Sequence, residues 1–439
     1  MILAHVARVK STSNATASCS PAGLTLAGMS TIKRSPLAPA RFPRLPAVKG
    51  LHLRTARAGI KFAGRDDLLL VEFDRGTAVA GVFTRSTTAS APVQWSRQVA
   101  GTGRARAMLV NSGNANTFTG TQGMADVKAT AAMAAKTIGC RPRDVLISST
   151  GVIGEPLPVA RFEQALPRMG RQAKKASWLQ AARAIGTTDT YPKGSTRQAR
   201  IGDTTVTLCG IAKGSGMIAP DMATMLAFVF TDAKLSAPVL QALLQDGVAR
   251  SFNCITVDSD TSTSDTIVLA ATAKAGNRPP QSLAASELKD FRRALNELLT
   301  DLAIQVVRDG EGASKFITVD VTGAVSTGSA HKAALAIANS PLVKTAIAGE
   351  DANWGRVVMA VGKSGVRLDQ SRLSVAMGGV LIAHHGERAA DYDETQVVRH
   401  LKGENISVSV DLGVGRARSR VWTCDLTHEY IRINADYRT

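Results

Sequence analysis

Residues Lys213-Gly-Ser-Gly-Met-Ile-Ala-Pro-Asp-Met-Ala-Thr-Met-Leu226, followed by Ala-Phe-Val-Phe230, decide how the chain reads. A loop of small residues containing one Pro runs as far as Ala223. The apolar run from Met225 to Phe230 is short and closed by Thr231-Asp232, so it reads as a buried strand. Thr224 is therefore expected at the first position of a core strand. If the Ala223–Thr224 bond is cut, Thr224 gains an α-amine beside its own hydroxyl. Such an amine titrates at about 8 and serves as general base to the hydroxyl at neutral pH, the N-terminal threonine route to a nucleophile. As a bare pattern the stretch is a turn and a strand far more often than an active site. The rest of the chain has to supply the partners.

Composition narrows the class. The chain has 439 residues, 44% hydrophobic, with aromatics at only 4%, which fits a globular protein of two or three domains packed from small side chains. No apolar run approaches the roughly 18 residues of a membrane span. The net charge of +18 invites a nucleic-acid reading, but residues 1–65 hold eleven Lys/Arg and no acidic residue, and the remainder is only +7. Basic and aromatic residues are not interleaved, so nucleic acid is rejected as a partner. Cys19, Cys140, Cys209, Cys254 and Cys424 are dispersed, as expected of reduced thiols in a cytoplasm-like compartment. No His spacing suits a metal, and the adjacent His384 and His385 are expected to point apart.

The Ser/Ala/Pro/Arg-rich residues 1–35 read as a disordered tail, either a mitochondrial or plastid transit peptide or an over-long start with Met29 as initiator; a cytoplasmic protein is preferred. Residues 68–73 and 78–83 read as a hairpin across Asp74-Arg-Gly76. Strands are expected at 107–110, 145–147, 204–208, 225–230 and 266–270, and helices at 122–138, 236–249 and 286–307. Residues 159–184 read as a helix interrupted at Pro167. Beyond Gly310-Glu-Gly312 the spacing predicts a strand at 316–322, helices at 331–347 and 355–361, a strand at 373–383, a helix at 394–401, and strands at 406–412 and 420–426. The mixture gives an α+β (mixed α/β) class. The domains are expected at 36–308 and 309–439.

Several segments carry polar groups suited to acyl transfer. Ser149-Thr150-Gly151 follows a strand, where a hydroxyl and a backbone N–H can meet a developing oxyanion. Lys213 sits among glycines and apolar residues, where its charge needs an anionic partner. Thr187-Thr-Asp-Thr190, the loop Asn111-Ser-Gly-Asn-Ala-Asn116, Thr256–Asp265, Ala346-Ile-Ala-Gly-Glu-Asp-Ala-Asn-Trp-Gly-Arg356 and the terminus Asn434-Ala-Asp-Tyr-Arg-Thr439 complete the set. Taken in order, these motifs resemble the glutamate N-acetyltransferase (ornithine acetyltransferase) family of arginine biosynthesis, from about residue 35 to the end. Asp221, Cys254 and Ala352 depart from the usual Asn, basic residue and Pro.

The resemblance implies a layered, self-processing sandwich of the N-terminal-nucleophile kind with a smaller C-terminal α/β domain. It implies cleavage between Ala223 and Thr224, with Thr224 as nucleophile and Thr150 and Gly151 as oxyanion donors. Thr187 (Thr188 if the register slips by one), Lys213, Thr224, Glu350, Asn434 and Thr439 are the implied substrate contacts, Glu350 for the amine of an ornithine-type substrate. The implied reaction moves acetyl from N2-acetyl-L-ornithine to L-glutamate by a ping-pong route, without metal or cofactor. Acetyl-CoA as a second donor is left open. The implied assembly is a heterotetramer of chains 1–223 and 224–439. The competing reading is a self-processing aminopeptidase or amidase.

Overall fold

Apolar runs long enough to be buried on both faces need a layer on each side, and the chain supplies four. The computed structural model describes residues 33–61, 63–219 and 225–436, and statements of number below refer to these. The strands of the first part are β1 (Leu51–Ala56), β2 (Leu68–Phe73), β3 (Ala78–Phe83), β4 (Ala107–Asn114), β5 (Val145–Val152), β6 (Lys193–Ile201), β7 (Thr204–Lys213), β8 (Leu226–Thr231) and β9 (Thr266–Ala271). They form a four-stranded sheet, β1-β2-β4-β5, and a five-stranded sheet, β3-β9-β8-β7-β6.

Side chains alternate across a strand, which sorts the core. Leu69, Val71 and Phe73 of β2 meet Leu226, Phe228 and Phe230 of β8 between the two sheets. Leu68 and Leu70 face the helix Gly120–Ile138 through Val127, Ala131 and Ala134. On the other side, Ala227 and Val229 of β8 pack under the helices Ala237–Ala249 and Lys289–Arg308. The result is helix, sheet, sheet, helix: the layered sandwich of mixed α/β class expected from the sequence.

The expected hairpin at 68–83 does not form. β2 pairs with β1 and β4, and β3 pairs with β9 in the other sheet. Both edges of β2 are already occupied, so the turn at Asp74-Arg-Gly76 carries the chain between sheets. Gly76 adopts φ 89° there, a value that favours glycine. The strands at 107–110 and 145–147 are longer than expected, and β5 carries Thr150 and Gly151 as strand residues. Residues 159–184 hold two short helices, Val159–Ala165 and Trp178–Ala184.

The remaining strands are β10 (Phe316–Ala324), β11 (Ser374–Met377), β12 (Val380–His384), β13 (Glu387–Arg388), β14 (Asn405–Asp411) and β15 (Ala417–Cys424), in the order β13-β12-β11-β14-β10-β15. The strand expected at 373–383 is a pair, β11 and β12, because Gly378 and Gly379 both take positive φ and reverse the chain. The helix expected at 331–347 is two, Thr327–Ala338 and Pro341–Ala348, broken where Ser340 caps the second and Pro341 starts it. His385 has φ 53°, which brings its ring to 3.8 Å from that of His384 instead of pointing it away.

This third sheet has its own core yet is stitched to the sandwich. Ile255 bridges to Trp422. Buried Lys344 donates to Val257 O at 2.8 Å, Thr423 Oγ1 at 2.9 Å and Cys424 O at 2.5 Å. No helix among the described residues is long and apolar enough to cross a membrane.

The helix Lys289–Arg308 should bear much of the sandwich stability, since nine of its residues are buried. Leu298→Ala, at a fully buried position, is expected to cost about 2–5 kcal/mol, read as a lower urea midpoint at unchanged slope.

Candidate active site

β4 and β5 run parallel, and their far ends almost touch. Gly151 pairs with Gly113 in a locally irregular register. Gly151 takes φ 132°, and a Cβ on it would lie 2.3 Å from the Gly113 carbonyl carbon, so only glycine lets the strands close here. Ser149 Oγ donates to Asn111 Oδ1 at 2.6 Å, and Asn111 Nδ2 donates to Asn114 O at 2.8 Å. These bonds fix the strand end on which Thr150 stands.

A cavity of about 350 Å³ opens at this end, lined by Thr150, Gly151, Thr187, Lys213, Glu311 and Asn434 among others. Lys213 ends β7, opposite Leu226 of β8. Its Nζ is buried, and its one hydrogen bond among the described residues is the donation to Thr150 Oγ1 at 3.4 Å. Burial pulls the Lys213 ammonium below the usual lysine range, opposed by the Asp189 charge. An ammonium held this way is set to receive an anion.

Across the cavity, Glu311 N–H donates to Ser215 O at 2.9 Å, and Asn434 Nδ2 donates to Glu311 Oε2 at 2.9 Å. A Cβ on Gly216 would lie 2.4 Å from a Glu311 carboxylate oxygen. The second glycine of Gly-Ser-Gly is thus what lets the carboxylate lie over the turn. Thr188 Oγ1 and Ser215 Oγ are 2.6 Å apart, tying the Thr187-Thr188 loop to the same turn.

Two aspartates hold the chain on either side of residues 220–224. Asp258 accepts from Met217 N at 2.6 Å and Ile218 N at 2.8 Å, and Tyr430 OH donates to it at 3.4 Å. Asp265 Oδ1 accepts from Met225 N at 2.8 Å. Burial pushes the Asp265 carboxyl well above the usual carboxylate range, and Asp258 up as well, against the backbone N–H groups that favour its charged form. Among the described residues, no group of three or more His, Cys, Asp or Glu side chains is placed to hold a metal ion.

Of the residues singled out from sequence, the structure gathers Thr150, Gly151, Thr187, Lys213 and Asn434 around one cavity. Ala223, Thr224 and Thr439 lie outside the described residues, as does Asp221. Glu350 is not brought to this cavity: it follows the helix Pro341–Ala348 at φ 60°, and its Oε1 accepts from Lys315 Nζ at 3.2 Å, away from the cavity lining. The carboxylates that line the cavity are Asp258, Asp260 and Glu311; Asp258 already holds the Met217 and Ile218 N–H groups, and Glu311 reads from sequence only as part of a domain boundary. Its signal was the glycine on either side, Gly310 and Gly312. The latter, at φ 73°, packs so closely on Tyr430 that a Cβ would meet its amide nitrogen at 2.5 Å.

The ArgJ family profile matches residues 52–439. The arginine biosynthesis bifunctional protein ArgJ of Brucella suis biovar 1 is 55% identical over 408 residues, 92% of this chain and 99% of that protein. ArgJ of Gluconobacter oxydans is 55% identical over 405 residues, 92% of this chain and 95% of its own. Among solved structures, the ornithine acetyltransferase of Mycobacterium tuberculosis, complexed with ornithine, is 36% identical. That match covers 40% of this chain and 93% of the solved one, with a TM-score of 0.35. By the extent of the profile match and the identity to relatives along nearly their full length, the chain belongs to the ArgJ family, the glutamate N-acetyltransferase (ornithine acetyltransferase) family of arginine biosynthesis that its motifs resemble.

Proposed function

We propose that the cavity transfers the acetyl group of N2-acetyl-L-ornithine to L-glutamate. The observation that carries this reading is the pairing of opposite charges in one small cavity: a buried ammonium at Lys213 and a carboxylate at Glu311, with Thr150 and Gly151 between strand ends. An amino acid offers an α-carboxylate to the first, and ornithine offers a side-chain ammonium to the second. The solved relative that binds ornithine supports the choice of substrate.

The chain first cuts itself between Ala223 and Thr224: the Thr224 hydroxyl attacks the preceding carbonyl, the peptide C–N bond breaks to free the α-amine and leave an ester, and water hydrolyses that ester to release the Ala223 carboxylate and the Thr224 hydroxyl. The freed α-amine then takes the hydroxyl proton as Thr224 attacks the acetyl carbonyl. Thr150 Oγ1–H and the Gly151 N–H stabilise the oxyanion. Ornithine leaves with the proton, and L-glutamate takes the acetyl group from the acetyl-threonyl enzyme. Thr187, Asn434 and Thr439 complete the substrate contacts. No metal or cofactor enters the scheme, and acetyl-CoA is proposed as a second donor. The processed enzyme is proposed as a cytoplasmic heterotetramer of two 1–223 and two 224–439 chains.

Active protein on a denaturing gel should run as two fragments, the second beginning Thr-Met-Leu-Ala on N-terminal sequencing. An intact chain in active enzyme would refute self-processing. Ornithine release beyond one equivalent per active site should need glutamate, and double-reciprocal initial-rate plots for the two substrates should be parallel; sustained release indifferent to glutamate would mean a hydrolase.

The two glutamates separate cleanly. Glu311→Gln should raise KM for acetylornithine about tenfold or more, since a hydrogen bond to a charged group contributes about 1.5–3 kcal/mol. Glu350→Gln should change it by less than about twofold, as expected of a partly exposed ion pair. The reverse order would return the amine contact to Glu350.

A further inference from the structure

A second ionic cluster lies directly behind the cavity wall, and the proposed reaction does not use it. Lys193 Nζ is fully buried and donates to Asp189 Oδ1 and to Asp309 Oδ2, both at 2.6 Å, and to Tyr191 O at 3.3 Å. It also lies 4.8 Å above the Tyr191 ring. Two carboxylates against one ammonium leave the cluster with a net negative charge.

Each carboxylate reaches a segment that lines the cavity. Asp189 Oδ1 also accepts from Gly214 N at 2.7 Å, the residue after Lys213, and Asp189 Oδ2 accepts from Thr187 N at 3.0 Å. Asp309 accepts from Thr190 N at 3.0 Å and Thr190 Oγ1 at 2.5 Å, two residues before Glu311. The cluster thus ties together the backbone that presents Thr187, Lys213 and Glu311.

The charges facing Lys213 are Asp189, Lys193, Glu311 and Asp265. Lys193 works against the Lys213 ammonium, and its two partners offset it. Asp265 is held toward its neutral form by burial, and Glu311 is partly exposed to the open cavity. Asp189 is different: its burial would favour the neutral acid, but the Lys193 and Lys213 charges and the Gly214 N–H hold it below the ordinary carboxylate range. Asp309, pushed up to about 6 by burial and by Asp189 despite Lys193, is the softer of the two.

We infer that Asp189, braced by Lys193, is a positioning residue for Lys213: it fixes the turn that carries the lysine and supplies the counter-charge that keeps its ammonium ready for a substrate carboxylate. The inference rests on the proposed role of Lys213 and goes beyond it, because Asp189 stands behind the cavity and does not line it. It gives the buried pair a functional reason as well as a structural one.

A neighbouring negative charge makes the Lys213 ammonium harder to deprotonate. Removing that charge lets the proton leave at lower pH, so the alkaline limb of kcat/KM must move down. Asp189→Asn leaves Lys193 paired with Asp309 and keeps an acceptor oxygen for one of the two backbone N–H groups that Asp189 holds, Gly214 N or Thr187 N. Asp189→Glu keeps the charge and displaces it.

The test is the pH profile of kcat/KM for acetylornithine in wild type, Asp189→Asn and Asp189→Glu, with ornithine binding followed by calorimetry over the same range. Asp189→Asn should move the alkaline limb down by about one pH unit, a tenfold change in the protonation equilibrium, and ornithine affinity should fall over the same interval. Asp189→Glu should keep the limb while raising KM. A uniform loss in Asp189→Asn at every pH would overturn the inference and leave the aspartate a purely structural role. If Asp189→Asn does not fold, Asp189→Glu decides alone, since a limb that shifts with the charge retained contradicts it. Wild type that binds ornithine but transfers no acetyl group would sink the proposed function while leaving the binding arm of this test intact.

Discussion

A lysine taken wholly out of water has to be answered by a negative charge or by a full set of acceptors, because an unsatisfied buried ion costs several kcal/mol. Lys193 meets that demand twice over, through Asp189 and Asp309. Both aspartates then spend their remaining lone pairs on the backbone and hydroxyl groups of neighbouring turns. The cavity is thereby held at the junction of segments far apart in sequence: the loop at 187–190, the turn after β7, and the turn after the helix Lys289–Arg308. Removing Lys193 would leave two buried carboxylates facing each other, at a cost of about 3–5 kcal/mol by analogy with broken buried pairs. The cavity-lining groups would lose their common anchor with it.

The sandwich supplies what this anchor cannot. Strand ends are stiff when both faces of the strand are packed, and β4, β5, β7 and β8 are buried along almost their whole length. Thr150 and Lys213 therefore stand on ends that side-chain packing holds in place. The glycines work where approach is closest: Gly151 against Gly113, and Gly216 under Glu311. Preorganised donors of this kind are what oxyanion stabilisation requires. The aspartates at 258 and 265 hold Met217, Ile218 and Met225, the described chain on each side of the proposed cleavage bond.

How much of this was legible in the sequence follows from what each signal depends on. β8 was legible because an apolar run between polar ends has few alternatives. The helix Gly120–Ile138 was legible because Gly139 stops it in the left-handed region. The partner of β2 was not legible, because a short turn between two apolar strands is equally compatible with a hairpin and with a crossing between sheets. Motif resemblance named Thr150, Gly151, Thr187, Lys213 and Asn434, which line one cavity, and also Glu350, which does not line it. Glu311 and Glu350 both sit beside glycines; only the fold shows that Glu311 faces the cavity and that Glu350 turns to Lys315. The cluster around Lys193 was invisible, since Asp309 lies 116 positions away from it, and nothing local marks the pair.

The central claim is that a threonine freed by self-cleavage carries the acetyl group between the two amino acids. Intact-mass spectrometry of the purified protein, quenched after brief exposure to N2-acetyl-L-ornithine without glutamate, tests this most directly. The fragment beginning at Thr224 should gain the mass of one acetyl group, fragmentation should place the group on that first residue, and adding L-glutamate should remove it. An acetyl group on the other fragment, or turnover with neither fragment ever acetylated, would contradict that claim.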